Sequence, residues 1–556
     1  MKSKYFSSLL LKLFVLATIY LSNELQAQMN LNWLNTFSIN SNLQVTKITT
    51  DKNNDIIISG WFSSTIDFDP GPGSNFLVPN GQDAFIAKYS SGGNFIWANK
   101  IGGAGSGVTC NYSTVDTLNN IYITGKCYGN GSSVDFDPGP SQTIINFPMN
   151  AGPTYAFYIV KLNSGGNFQW VRDTIFGSLE GSAIQVDNNN DIVVGCSGNP
   201  ALIKYNANGG MSFFKNFGGL GIIKNVKVDN GNNIFISGSA TTGPSLDLDP
   251  GVGSQIVSGP DIFIAKYNSV GTFVWGNGCG VSLGSVADME LDLSNNIYLT
   301  GTEGSPGRVH ISKWNGSGNP SWLYSFGNIT DIGRRSSGLK LKLNCSNSIK
   351  LIGYFTDNCQ NNDFDFDPGP SIYTISCPQS VTFATINSQL FYADINTNSG
   401  SVTSVRNIGG GINTNGHMPP FMYVIPAIHF DNNGNTYLSG VASGNNQFDF
   451  NGNSGTTTLT NQTYIVKYNG CGIVGIDEHS LNYKLISIWP NPSGNFININ
   501  SPDDHFTCCI FDLNGRQLIK SNLCEIDISN LPNSIYFIQL HSNSTSTVRQ
   551  FKFIKL

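Results

Sequence analysis

The stretch Asp116-Thr-Leu-Asn-Asn-Ile-Tyr-Ile-Thr-Gly125 decides the fold, because it returns along the chain. An Asp opens a turn, a short apolar run follows, and a Gly closes it. The same pattern stands at Asp51–Gly60, Asp187–Gly195, Asp229–Gly238, Asp292–Gly301 and Asp431–Gly440, with a weaker copy from Asn344 to Gly353. That makes seven copies, so the chain is read as one repeat array and not as several unrelated domains. A second half-unit follows most copies: an apolar strand with Lys, a Gly-rich turn, and a strand with Trp. It reads Phe85 to Ala98, Phe157 to Val171 and Phe263 to Gly276, with shorter relatives at Leu202 to Lys215 and Val309 to Leu323. The copy from Phe391 to Thr403 has lost both the Lys and the Trp.

Runs such as Ile-Ala-Lys-Tyr have period two, which sends alternate side chains to opposite faces of a sheet. Asn-Asn, Gly-Gly and Ser-Gly supply turns, since Asn and Gly tolerate positive φ. Each unit therefore reads as four short strands. One such sheet cannot bury both faces alone, whereas stacking sheets around an axis does. The last unit contains Thr463-Tyr-Ile-Val-Lys-Tyr-Asn469 but lacks a Trp-bearing fourth strand; that strand stands near the other end, as Asn30 to Phe37 with Trp33. The expected fold is all-β: a seven-bladed β-propeller over residues 28–471, closed by the N-terminal strand against the segment Tyr464–Tyr468. An open β-solenoid is the structural alternative. The units resemble the bacterial β-propeller repeats called SBBP repeats, with Asp…Gly-Asn-(Ile/Val)-Tyr-x-x-Gly followed by Phe-(Ile/Val)-x-Lys…Gly…Trp; the resemblance covers roughly residues 30–471.

Residues 1–27 read as a signal peptide: Lys2 and Lys4, then an apolar stretch from Leu9 to Leu21, then Leu25-Gln26-Ala27 as a cleavage site. The stretch is too short to span a bilayer comfortably. No transmembrane anchor is expected once it is removed. The chain has net charge −6, and loss of the leader leaves about −8. A mildly acidic surface argues against nucleic-acid binding, which needs a basic face to displace counterions.

Residues 472–482 read as a linker and 483–556 as a small β unit with the look of an immunoglobulin-like β-sandwich. Trp489-Pro490-Asn491-Pro492-Ser493-Gly494 opens it, Asp512-Leu-Asn-Gly515-Arg516 forms a central turn, Leu531 to Tyr536 follows, and Lys552-Phe-Ile-Lys555-Leu556 ends the chain. In that order these elements resemble the type IX secretion sorting domain of Bacteroidota, save that Ser534 stands where the family has Gly. The resemblance implies type IX machinery as a partner, a secreted or outer-surface destination, and a sorting role for Pro490, Asn491, Pro492, Gly515, Tyr536, Lys552 and Lys555.

Candidate chemistry is sparse. The motif Asp-x-Asp-Pro-Gly recurs with Asp67 and Asp69, Asp135 and Asp137, Asp247 and Asp249, and Asp365 and Asp367. In an extended segment positions i and i+2 point the same way, so each motif offers two carboxylates, and oxygen pairs suit calcium. Two are few for a site that wants six to eight oxygens, and Asp-Pro-Gly is a good turn by itself. The same loops lie on the face of the unit-to-unit crossings, where binding is expected. The recurring Lys88, Lys161, Lys204, Lys266, Lys313 and Lys467 read as scaffold contacts between units, and the recurring Trp as packing. Eleven Cys allow local pairs such as Cys110 with Cys127 or Cys359 with Cys377. No zinc, nucleophile-elbow, P-loop or dinucleotide motif is present, and no catalytic residue or certain cofactor is assigned. The expected function is an extracellular binding or structural module for a glycan or protein ligand; the alternative is a propeller enzyme acting on polysaccharide.

Overall fold

The computed structural model describes residues 31–37, 42–129, 131–147, 154–174, 179–251, 253–280, 284–304, 307–327, 336–343, 348–357, 366, 387–411, 427–431, 433–448, 457–469, 487–489, 494–500, 506–512, 516–521, 525–542 and 548–555. The leader, the linker and the Cys359/Cys377 pair lie outside these residues. The described residues form strands and turns with no helix, and the chain divides into two compact units, Met1–Ile473 and Val474–Leu556.

In the first unit the strands follow one another as antiparallel meanders of four. Sheet I is Leu43–Thr50, Ile56–Phe62, Asp83–Tyr89 and Phe95–Ile101; sheet II is Ser106–Val115, Ile121–Gly129, Thr154–Leu162 and Phe168–Thr174. Sheets III (Leu179–Val186, Ile192–Gly198, Ala201–Tyr205, Met211–Asn216) and IV (Gly221–Val228, Ile234–Ala240, Asp261–Tyr267, Phe273–Gly278) join into eight strands through Ser197↔Ile222 and Gly198↔Gly221. Sheet V is Ser285–Leu291, Ile297–Glu303, Arg308–Trp314 and Pro320–Phe326; sheet VI is Ser336–Leu343, Ser348–Asp357, Asn387–Asn396 and Val402–Gly411. Sheet VII takes Ile428–Phe430, Thr436–Phe448 and Thr457–Tyr468 from the end of the unit and Leu31–Phe37 from its start. The N-terminal strand pairs where the sequence places it: Trp33 opposes Lys467, Leu34 Val466, and Phe37 Thr463.

Period two sorts each strand between two cores. In sheet I, Ile56 and Ile58 join a cluster with Phe37, Tyr437 and Ile465 of sheet VII, while Ile57 joins Val108, Ile121 and Tyr158 of sheet II. Further clusters follow at II/III, III/IV, IV/V, V/VI and VI/VII. Every sheet thus shares a core with both neighbours in sequence order, and sheet VII shares one with sheet I. Strands buried on both faces must be apolar throughout, which is why Ile56-Ile57-Ile58 shows no polar alternation.

Two recurring residues have local causes. The Asp that opens each unit caps its own turn. Asp116 Oδ1 accepts the backbone N–H groups of Leu118 and Asn120 at 2.8 and 2.9 Å, and Oδ2 accepts Asn120 Nδ2 and Tyr122 OH at 2.8 and 3.0 Å. The third residue after the Asp needs φ near +60°, and Asn holds it five times, at Asn54, Asn119, Asn190, Asn232 and Asn295. The closing Gly faces a β-bulge in the first strand: the register slips between Val45 and Lys47 opposite Gly60, and between Cys110 and Tyr112 opposite Gly125. The bulge brings a carbonyl against the Gly, so a Cβ at Gly60 or Gly125 would overlap the oxygen of Gln44 or Thr109. The same register explains why Cys110 and Cys127 do not pair. Cys110 opposes Gly125, Cys127 opposes Val108, and Cys110 is a buried thiol.

The second unit has two sheets, Ser487–Trp489 with Phe496–Asn500 and Glu525–Asp527, and Gln517–Ser521 with Phe506–Phe511, Ser534–Ser542 and Val548–Lys555. They share a core of Ile497, Ile499, Cys508, Ile510, Ile526, Tyr536, Ile538 and Phe553.

Candidate functional site

The Asp-x-Asp-Pro-Gly segments follow the second strand of sheets I, II and IV. Asp67 Oδ1 accepts the N–H groups of Asp69 and Asn75 at 3.1 and 2.7 Å, which closes the loop; Asp69 Oδ1 accepts that of Gly71 at 2.8 Å, which caps the Pro-Gly turn. Asp135 does the same to Asp137 and Thr143, Asp137 to Gly139, and Asp247 to Asp249 and Gln255. The residue between the two Asp is the anchor: Phe68, Phe136, Leu248 and Phe366 are fully buried. Phe68 lies 5.0 Å from Phe85, centroid to centroid, and its carbonyl accepts Tyr89 OH at 2.8 Å. Asp365 and Asp367 lie outside the described residues. On Asp67, Asp69, Asp135, Asp137 and Asp247 the turn takes one carboxylate oxygen, which would leave a calcium ion the other. Among the described residues no three His, Cys, Asp or Glu side chains gather as a metal centre. The donor set is that of a turn, short of the six to eight oxygens calcium takes.

The recurring Lys and Trp join sheet to sheet. Lys161 donates to Ala207 O of sheet III, Lys204 to Ser269 O of sheet IV, Lys313 to Thr397 O of sheet VI, and Lys467 to Ser91 O of sheet I, at 2.9 to 3.2 Å. Lys88 and Lys204 are also buried in ion pairs with Asp51 and Asp187 at 2.8 and 2.7 Å. Trp33, Trp275 and Trp322 donate their indole N–H to Ser91 O, Gly316 O and Thr397 O, each at 3.2 Å. The turn Gly of the next sheet takes the ring: Gly93 under Trp33, Gly166 under Trp97, Gly318 under Trp275, all at φ of +81° to +84°. These side chains are committed to the scaffold.

A cavity of about 220 Å³ lies where the first strands converge. Counting back two positions from each unit-opening residue gives Thr49, Thr114, Gln185, Lys227, Glu290, Lys342 and His429, one from every sheet, and all seven line it. Lys47 and Lys340, four positions back in their units, line it too. The lining falls toward the C-terminal ends of the first strands, the end that carries the Asp turns. The Asp-x-Asp-Pro-Gly loops follow the second strand and so stand at the other end. The structure puts the enclosed polar space away from the long loops on which binding was expected.

Its charges are uneven. Lys227 pairs with Glu290 at 2.9 Å; Lys340 pairs with Asp288 at 2.7 Å, and Asp288 also accepts the Leu341 N–H at 2.9 Å. Lys47 and Lys342 have no carboxylate within ion-pair distance among the described residues. Lys47 Nζ and Lys224 Nζ sit 5.5 and 5.4 Å from the centroid of the Tyr112 ring. Lys47 keeps part of its surface open to the cavity, yet protein surrounds it. Desolvation and the positive charges of Lys340 and Lys227 bring its ammonium down to about 7, against the opposing pull of Asp288 and Glu290. His429, within 3.0 Å of Thr50 Oγ1, is held well below its ordinary value by burial and by Lys47, Lys340, Lys342 and Lys227, so it is neutral at pH 7. Asp288 is held below its ordinary value, Lys340 and Lys227 outweighing the burial that opposes them.

In the second unit Tyr536 OH donates to Pro532 O at 2.7 Å and its ring stacks on Phe553 at 5.4 Å. Lys555 pairs in register with Ser534 and is buried, and Asp512 Oδ1 accepts the Arg516 N–H at 2.9 Å. Lys552 pairs with Phe537 along the backbone. Pro490, Asn491, Pro492 and Gly515 lie outside the described residues.

An uncharacterized WD repeat-containing protein of Acanthamoeba polyphaga mimivirus is 26% identical over 258 residues, 42% of this chain; the match spans 15% of that relative's length. Among solved structures, an ulvan lyase bound to an oligosaccharide aligns at 12% identity over 78% of this chain and 97% of its own, with a TM-score of 0.40. A streptogramin B lyase aligns at 10% identity over 78% and 98%, at 0.35. PorZ, a surface component of the type-IX secretion system of Porphyromonas gingivalis, aligns at 10% identity over 92% and 81%, at 0.25. Those activities belong to those proteins. Residues 487–555 match the secretion system C-terminal sorting domain, which covers both sheets of the second unit. The chain carries a type IX sorting domain and is a protein exported to the cell surface or beyond.

Proposed function

We propose that the exported chain is an extracellular binding protein: a seven-bladed β-propeller of SBBP-type repeats, followed by an immunoglobulin-like sorting domain. Strand order and shared cores support the ring. The first strand of the unit completes its last sheet, and sheets VII and I share a core of their own as every other neighbouring pair does. The observation that carries the binding role is the cavity, to which every repeat unit contributes a side chain at one equivalent position. A rigid scaffold that brings variable side chains together on one polar space offers a ligand several converging polar and charged groups. The long loops at the opposite end provide a second, more exposed surface.

The test is to pass extracellular polysaccharides over the immobilised mature chain, residues 28–556, and to follow their chain length. Retention without shortening is the expected result. Depolymerisation would instead establish a polysaccharide-cleaving propeller and discard the binding role. Fractionation of the producing cells checks export, with the chain expected outside the outer membrane and removal of residues 474–556 expected to hold it inside.

A further inference from the structure

We propose that the cavity is an anion site that takes the sulfate or carboxylate group of an acidic saccharide, with Lys47 and Lys342 supplying the uncompensated charge. The inference deepens the extracellular binding role and rests on it. It starts from a mismatch of charge. The whole chain is net acidic at −6, yet the ring of first strands gathers Lys47, Lys227, Lys340 and Lys342 around one space. Glu290 and Asp288 neutralise Lys227 and Lys340, and the Asp431 carboxylate, also in the lining, is turned into its own turn, where it accepts the Asn433 and Asn435 N–H groups and Tyr437 OH. Two ammoniums remain without a carboxylate among the described residues, and at Lys47, which protein surrounds, the unpaired charge is costly. An oxyanion between them removes that cost and gains charge-assisted hydrogen bonds.

The remaining lining selects the rest of the ligand. Thr49 and Thr114 present hydroxyl groups, which suit the hydroxyls of a sugar better than the apolar side chains that accompany acidic residues in a peptide. The volume, about 220 Å³, admits one charged residue of a saccharide and not a folded chain.

Anion binding is coupled to protonation. Lys47 faces Lys227, Lys340, Asp288 and Glu290, with Tyr112, Lys224, Lys342 and neutral His429 close by. An anion needs Lys47 charged, so affinity rises as pH falls through about 7.

The experiment uses the mature chain with sodium sulfate against sodium chloride at matched ionic strength, read by calorimetry. Sulfate is expected to bind about thirtyfold tighter at pH 6 than at pH 8.5, by linkage to the one proton that Lys47 takes up near pH 7. The Lys47→Met/Lys342→Met double variant is expected to lose at least tenfold in affinity, while Lys52→Met, on an exposed turn, keeps it. Sulfated dextran fragments should compete with sulfate and neutral dextran should not; competition by neither would limit the site to the free ion and overturn the saccharide assignment. Equal heats from sulfate and chloride, or a flat pH profile in the unmodified chain, overturn the anion site without reference to any variant. Retention of a neutral polysaccharide alongside absent sulfate binding would sink this inference and leave the binding role standing.

Discussion

Replacing Phe37 by Ala tests the closure of the ring. Phe37 ends the N-terminal strand, is 2% exposed, and packs its ring 6.2 Å from Phe68 and 6.3 Å from Tyr89 of sheet I. Opposite it stands Thr463, whose hydroxyl donates to Leu43 O at 3.1 Å. Phe→Ala in a packed core costs about 3–5 kcal/mol, because the transfer energy is lost and the cavity relaxes only in part. An unfolding entropy of about 2.1 cal/mol/K per residue over roughly 440 residues gives about 0.9 kcal/mol/K, so the melting midpoint should fall by about 3–5 °C. Phe214 is the control. It lies on the outermost strand of sheet III, as Phe37 does on sheet VII, but is 46% exposed. Phe214→Ala should stay within about 0.5 kcal/mol, under a degree. Differential scanning calorimetry of the mature chain reads both. If the two variants melt together, the N-terminal strand does not hold the last sheet against the first, and the cavity loses its closed wall.

Asp116→Ala removes the acceptor of four hydrogen bonds in a buried turn and should cost about 2–4 kcal/mol by urea midpoint, since each orphaned donor carries a desolvation penalty; a loss under 1 kcal/mol would mean the turn is held by other means. Lys47→Met should stabilise the chain at pH 6–7. Its folded pKa, about 7, lies below the unfolded value, so the unfolded chain binds the extra proton between those values and wild-type stability climbs with pH there; the gain in the variant should shrink as pH rises toward 10, and a pH-independent difference would refute the assignment. EGTA should leave the melting midpoint of the mature chain unchanged, because Asp67, Asp69, Asp135, Asp137 and Asp247 accept backbone N–H groups of their own turns; a fall of several degrees would restore calcium to these loops.

The repeat made the scaffold legible. Asp116, Gly125, Lys161 and Trp170 stand at equivalent places in several units because each meets a demand that every unit shares: a turn to cap, a bulge to clear, a neighbour to reach. Even the displaced strand could be placed, since Trp33 fills the one position its last unit leaves vacant. The cavity was not legible in the same way. Thr49, Thr114, Gln185, Lys227, Glu290, Lys342 and His429 occupy one register position, two before the unit-opening residue, but share no chemistry, so a search for recurring residues passes over them. Aligning the units on the Asp and reading the least constant column would have found them. Cys110 and Cys127 misled for a related reason: closeness in a hairpin says nothing of register, and the bulge sets them diagonally apart.

That contrast says where function can sit in such a ring. A side chain repeated in every sheet is tied to the contact that makes repetition work, and Lys88 in its buried pair with Asp51 has no freedom left for a ligand. Only the columns the scaffold leaves unconstrained can vary, and of these the one two places before the unit-opening residue brings seven side chains to one cavity. Lys47 is a charge that the scaffold does not need and that desolvation makes costly to keep, and Lys342 lines the same cavity without a carboxylate among the described residues. Their place in one cavity wall with two fully paired lysines, Lys227 and Lys340, is the physical ground for assigning the space between them to a negatively charged ligand.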